Sequence, residues 1–290
     1  MVNVANFYDG PEDRVVRAAW AEGVFFSRHQ NVPPAAEGLF ALDTLPQRVR
    51  TAHGDAWQEE GRLRIPYGSA FAEQPGIRLM ASGLPQPQWN NGDVTDASAV
   101  DLDRVREWYA GLGVPWGVRV PSDQAWSHGR HLFGKRLMGL VPDGFVPAPA
   151  VAGLTVRAAS AADIEAVARV DSAAFGGESS MDRPWLEPHL HADAVTVALA
   201  LLEGEPVGTA YTLRSDGRAG PALYLAGVGV LEQARRRGVA VAMSSWLLEQ
   251  GLAAGAELAH LHPDSDSAAG IYARLGFTEV DGFDIYVDLA

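Results

Sequence analysis

The sequence predicts an α/β fold (an α+β sandwich), with a mixed central sheet flanked by helices and the chain divided into two domains. Three observations carry this. Hydrophobic residues make up 47% of the 290 and charged residues 20%, a composition that buries a core. The stretch from Val141 to Gly153 holds three prolines and two glycines in thirteen residues and reads as a connector. Beyond it, strand-like and helix-like periodicities alternate. The boundary is therefore set between residues 1–150 and residues 151–290.

In the second half, Leu154–Arg157 reads as a short strand, and Ala161–Ala174 has the apolar spacing of an amphipathic helix. Ala194–Leu202 and Val207–Leu213 read as strands joined across Glu203-Gly204-Glu205-Pro206, hence a hairpin. Arg214–Gly220 reads as a turn and Pro221–Val230 as an apolar strand. Val239, Ala242, Met243, Trp246 and Leu247 repeat at helical spacing and predict a helix over 239–250. A strand over Leu258–His262, a helix over Ser267–Leu275 stopped by Gly276, and a strand over Phe283–Leu289 complete the order β-α-β-β-β-α-β-α-β. In the first half, Val100–Leu112 reads as a helix, Pro115–Val120 as a strand and Ala125–Met138 as a helix.

The formal net charge is −13, which argues against a general nucleic-acid coat. There is no cysteine, so disulfides, thiolate metal sites and cysteine nucleophiles are excluded. No metal site is expected. The residues from Met1 to Asp13 carry early acids, and no run of about 18 apolar residues occurs, so the expectation is a cytoplasmic protein without a membrane partner. The halves differ in charge. Residues 154–290 hold nine arginines against nineteen acids; residues 1–153 hold fourteen basic residues against seventeen acids. Lys135 is the only lysine.

Against that acidic background, Arg235-Arg236-Arg237-Gly238 stands out, between the strand ending at Val230 and the helix starting near Val239. The first turn of a helix presents unpaired N–H groups and the positive end of the dipole, and so receives anions. Gly238 and Ala240 leave room for a bulky diphosphate at the backbone. The spacing excludes a Walker loop, since Lys135 is followed by Arg136, and a dinucleotide loop, since Glu232 stands where a glycine is required. What remains is Arg235-x-x-Gly238-x-Ala240. Taken alone, it reads equally as an exposed arginine turn.

A second motif follows downstream: Ala268, Tyr272, Gly276 and Phe277 fill A-x-x-x-Y-x-x-x-G-F. With these two motifs and this element order, Leu154–Ala290 resembles the GCN5-related N-acetyltransferase (GNAT) superfamily. The resemblance implies an acyl-CoA-dependent N-acyltransferase that moves an acetyl group from acetyl-CoA to the amine of a small molecule by direct attack. It implies that Val228 and Val230 lie on the strand pairing with the pantetheine arm. Arg235, Arg236, Arg237, Gly238, Val239 and Ala240 would surround the diphosphate. Ser265 would stand where the family often has Asn, and Tyr272 would be the general acid. For the base, Glu178 is the first candidate; Asp182, His189, His191, His260 and His262 are others. Each has the plainer reading of a solvated loop or packed histidine.

The first half is expected to be a degenerate repeat of the same fold, making a tandem protein in which it shapes the acceptor pocket. It has no R-x-x-G-x-G/A loop, and Lys135 takes the place of the tyrosine. Six of the eight tryptophans (20, 57, 89, 108, 116 and 126) lie here; core packing is the plainer reading of the run from Trp89 to Trp126, an acceptor wall the alternative. Arg119, His128, Arg130, His131, Lys135 and Arg136 form a basic stretch, read as a solvated helix face or a surface for tRNA. Two rivals therefore stand beside the acetyltransferase: an aminoacyl-tRNA-dependent transferase and a non-catalytic coenzyme A sensor. The chain is expected to be a monomer or homodimer.

Overall fold

The fold was examined in a computed structural model, which describes residues 44–176 and 179–287, without the side chains of 179–182. One sheet of eleven strands runs through both halves. The first half contributes helix α1 (Leu45–Leu63), strands β1 (Ala70–Gln74), β2 (Ile77–Ala81) and β3 (Asn90–Val94), helix α2 (Leu102–Leu112), and strands β4 (Gly117–Pro121) and β5 (Arg130–Leu140). The second half contributes β6 (Leu154–Ala158), helices α3 (Ile164–Phe175) and α4 (Ser179–Leu186), and strands β7 (Val195–Leu202), β8 (Glu205–Gly217) and β9 (Gly220–Val230). Helix α5 (Val239–Ala253), β10 (Leu258–Leu261), helix α6 (Asp266–Ala273) and β11 (Thr278–Val287) follow.

The strand order is β1-β2-β3-β4-β11-β5-β10-β9-β8-β7-β6. From the centre outwards the pairing follows one pattern on both sides, and the second half adds one further antiparallel strand, β6, at its edge. β3 pairs with β4 in parallel and β9 with β10 in parallel, each pair joined through a helix, α2 or α5. Between them, β11 and β5 cross over. β11, from the second half, lies against β4, and β5, from the first half, lies against β10; the two pair antiparallel at the centre.

Side-chain alternation assigns the two faces of the sheet. Ala198 and Ala200 pack with Met243 and Leu247 of α5, while Val197 and Leu199 pack with Val167 and Ala168 of α3. α1 lies on the α3 face; its Ala56 joins Leu199, Tyr211 and Tyr224 in one cluster.

Several expected elements change. Residues 130–138, expected within a helix, are the strand β5, because β11 pairs along them, β10 adds a second partner from Met138 to Leu140, and Leu137 and Leu140 are buried in the middle of the sheet. Tertiary pairing overrides local pattern here. The expected turn 214–220 shortens to Arg218 and Ala219, since β8 runs to Gly217, paired with Gly220. The last strand begins at Thr278 rather than Phe283. The stretch after Phe175, read as loop, contains α4. Among the described residues, no helix is long and apolar enough to cross a membrane.

Candidate active site

Two local features of the second half meet. The first is a fork in the sheet. β9 and β10 pair only over Ala222–Tyr224 and Leu258–His260, and β9 then continues to Val230 held by β8 alone. A break in the β8–β9 register lies between Thr209 and Tyr211, opposite Gly227 and Val228. Gly227 has a φ of 60°, and a Cβ there would press on the Tyr211 ring at 3.0 Å, so this bulge needs glycine. The edge of β9 facing β10 beyond Tyr224 thus offers backbone N–H and C=O groups to a ligand. Val228 is half-buried against the α5-side core and Val230 is buried.

The second feature is the start of α5. Gly238 sits in the left-handed region (φ 83°) just before Val239, no side chain caps this end, and no acid lies in the first turn. The first backbone bond back to Gly238 O comes from Ala242 N, at 3.0 Å. The amides of residues 239–241 therefore point out of the helix without an intrahelical acceptor. Arg235, Arg236, Arg237 and Gly238 are exposed, Val239 is buried and Ala240 half-buried. The three arginines differ. Arg235 donates from Nε to Val230 O (3.1 Å) and from Nη2 to Ala174 O (3.2 Å), so its side chain ties the loop to the end of β9 and to α3. Arg236 takes a positive φ of 61°, which turns the backbone towards the helix start.

Tyr272, on α6, is 9% exposed and packs with Leu225, Leu261 and Phe277, residues of the same core layer as the two arms of the fork. Burial, with a smaller contribution from Asp264, pushes its phenol well above the ordinary tyrosine range, so it carries its proton at neutral pH. Ser265 caps α6, accepting from Ala268 N at 3.2 Å.

The proposed bases separate. Glu178 and the side chain of Asp182 lie outside the described residues. His189 is buried and held by Glu60 at 3.0 Å and Arg64 at 3.0 Å, with its ring 4.3 Å from that of Tyr211. Burial and the Arg64 charge keep it below its ordinary value, despite Glu60. His191 is exposed at the end of a short turn of helix. The fork receives His260 and His262. His260 stacks on Tyr224, with ring centroids 5.3 Å apart, and burial lowers it to about 3. His262 Nε2 lies 2.6 Å from the Tyr224 hydroxyl and is lowered by burial and by Lys135.

Sequence reasoning missed α1, which brings His53, Trp57, Glu60 and Arg64 to one side at helical spacing. His53 meets Tyr224, His260 and His262 edge-on. Trp57 lies under the Arg119 guanidinium at 4.2 Å. Glu60, with no exposure, pairs with Arg64 and His189. The buried face is polar, so no apolar period marks it; the only local signal is the start, where Thr44 caps the helix ahead of Pro46.

The basic stretch is not a solvated helix face. Arg119 is buried on β4 and bonded to His53 Nε2 at 2.9 Å. On β5, His131 meets Asp284 at 2.9 Å, Lys135 meets Asp264, and Arg136 meets Asp266 (3.0 Å) and Glu279 (3.2 Å). The tryptophans divide. Trp108 and Trp116 pack on Tyr109, whereas Trp89 stacks on Trp185 of α4, centroids 5.0 Å apart. Among the described residues, no group of three or more His, Asp and Glu is arranged to hold a metal.

Residues 155–280 match the family model of the acetyltransferase (GNAT) domain. This segment is a GNAT domain. Solved structures extend the likeness in fold beyond it. A GCN5-related N-acetyltransferase from Kribbella flavida superposes with a TM-score of 0.62 at 21% identity, covering 83% of this chain and 96% of that one. A functionally unknown protein from Staphylococcus epidermidis gives 0.56 at 13% identity over 75% of this chain and 92% of its own. A tandem GNAT protein from the clavulanic acid biosynthesis pathway gives 0.52 at 14% identity, covering 83% and 92%. No curated protein matches the sequence. The fork and the uncapped α5 both fall inside the GNAT segment; α1 and β5, which lie against it, fall outside.

Proposed function

We propose that the chain is an acetyl-CoA-dependent N-acetyltransferase acting on a small primary amine. The observation that carries this reading is the start of α5: a helix end with no side-chain cap, no acid and three arginines before it, in a half with more than two acids per arginine. A diphosphate fits that chemistry, the amides of 239–241 and the Arg236 and Arg237 guanidiniums supplying donors. The free edge of β9, with Val228 and Val230, fits an extended amide-bearing arm.

Acetyl-CoA supplies an already activated thioester. The chain's task is then to hold that carbonyl at the fork, receive the amine from the α1 side, let the nitrogen's proton pass to water as the C–N bond forms and the C–S bond breaks, and protonate the departing thiolate. Alignment of the reactants alone supplies ~7 kcal/mol or more of barrier lowering. Tyr272, neutral and beside the fork, is the proton donor in this reading. The first half shapes the acceptor side, because α1 lies against the fork through His53 and β5 borders the far edge of β10. A cytoplasmic location fits the use of acetyl-CoA.

Thiol release from acetyl-CoA across a panel of primary amines tests the reaction. Tyr272→Phe is expected to lower kcat by about 10²–10³-fold and to leave the acetyl-CoA dissociation constant within about threefold. Unchanged turnover removes Tyr272 as the acid, and binding without thiol release for any amine favours the coenzyme A sensor. The aminoacyl-tRNA reading is disfavoured by the acidic partners of Lys135 and Arg136, Asp264 and Asp266, which offset their charge. Salt-sensitive tRNA retention on filters would restore it.

A further inference from the structure

The link from β10 to α6 carries Asp264 and Ser265 and leads, at Asp266, into the helix that bears Tyr272. β5, from outside the GNAT segment, takes hold of this link at two points. Lys135 Nζ donates to Asp264, and Arg136 Nη2 lies 3.0 Å from Asp266. Between those carboxylates stands Ser265, the cap of α6. Adjacent residues of a strand project to opposite faces, so Lys135 and Arg136 approach the link from two sides. Asp264 is also the charge common to the fork: its carboxylate acts on both tyrosines there, Tyr224 and Tyr272, and on His262. Of the 23 basic residues Lys135 is the single lysine, and it meets this hub with a compact ammonium group.

We propose that the Lys135–Asp264 and Arg136–Asp266 pairs are a clamp through which the first half holds the 263–266 link, and with it Ser265 and Tyr272, in register with the fork. Lys135 is thus a positioning residue for the transfer. One partner in each pair is largely exposed, 66% for Asp264 and 98% for Asp266, so the clamp adds little to global stability and acts locally. The proposal rests on the acetyltransferase reading only where acetyl-CoA serves as the probe.

The test uses the full chain with Lys135→Met, Lys135→Arg, Asp264→Asn and the double variant Lys135→Met with Asp264→Asn. Melting temperature, amide hydrogen exchange over 262–268 and calorimetric binding of acetyl-CoA are measured together. In Lys135→Met and in Asp264→Asn, melting should stay within about 2 °C of wild type while exchange over 264–268 quickens about tenfold. Acetyl-CoA binding should weaken about five- to tenfold in the same variants. Lys135→Arg should restore both local readouts to within about twofold, and the double variant should be no worse than either single, since one interaction is lost once. Unchanged exchange and binding in Lys135→Met overturn the clamp. So does a large fall in melting temperature that accompanies every other change, which would make the pair part of the general framework. If the wild type does not bind acetyl-CoA, the functional reading falls, while the exchange data still decide the clamp.

Discussion

The two helix-linked pairs of parallel strands, β3-α2-β4 and β9-α5-β10, occupy matching places in one sheet and differ in almost every chemical detail. At the last cross-strand pair of the first stand Asp93, half-buried, and Arg119, buried, as an ion pair 3.8 Å apart, with Arg78 3.3 Å from the same Asp93 carboxylate. At the last cross-strand pair of the second stand Tyr224 and His260, stacked and neutral. α2 begins with its own anion: Asp101 caps it, accepting from Arg104 N at 3.3 Å, and Asp103 follows in the first turn. α5 begins with glycine and no acid. Topology therefore does not decide where an anionic cofactor binds. In the proposed reading, occupancy of the helix end does: a carboxylate fills one site from within, and the other stays open to a diphosphate.

The largest expected effect comes from making α5 resemble α2. Gly238→Asp places a carboxylate at the open helix end and should cost about 100-fold or more in acetyl-CoA affinity; Gly238→Asn, which carries the same backbone strain at a φ of 83° and the same approach to Val151 without the charge, is the control and should lose far less. Retained affinity in calorimetry would mean that the α5 end is not the anion site.

Next in size is the response to acid, because three buried histidines of lowered pKa gather at the β9–β10 end, with His189 a fourth beside Glu60. His53, His260 and His262 are all lowered, chiefly by burial, with Arg119 adding to each, Arg78 to His53 and Lys135 to His262; Asp264 opposes at His262. In the unfolded chain they take up protons near 6.5, whereas His260 in the fold does so only near 3. Their contribution is complete above 6.5 and is lost as pH falls through that window. Melting should be level above pH 7 and decline from pH 6.5 to 4 by the equivalent of about 1–3 kcal/mol. His260→Phe should flatten the decline, and a slope that persists unaltered would locate the acid sensitivity elsewhere.

Arg235→Ala is smaller. It removes the ties to Val230 O and Ala174 O, and loosening of the loop should weaken acetyl-CoA binding about tenfold, with faster exchange at 235–238. An unchanged constant would show that the loop is held without it. The smallest effect is expected at the other end of the comparison. Asp101→Ala should cost about 1 kcal/mol of stability by denaturant titration and leave acetyl-CoA affinity as it was.

The second half was legible because its signals are local. The β7–β8 hairpin is announced by Glu203-Gly204, the α5 loop by three arginines and a glycine in an acidic background, and α6 by its motif. The fork itself was legible only through the resemblance, since nothing in Pro221–Val230 shows where pairing with β10 ends. The first half hid more. β5 was misread because its strand character depends on β10 and β11, which are distant in sequence. α1 carries a buried stripe of His, Trp, Glu and Arg, whose partners come from β4, α4 and β9, and polar burial leaves no apolar period to find.

The central claim is that one helix end, and not its counterpart, takes the cofactor. Backbone amide shifts recorded while acetyl-CoA is titrated into the labelled full chain test it most directly. The largest changes should fall on residues 236–241, with Arg104 and its neighbours at the start of α2 unmoved. Changes centred on 101–104, or none at 236–241 at saturating acetyl-CoA, would contradict the account.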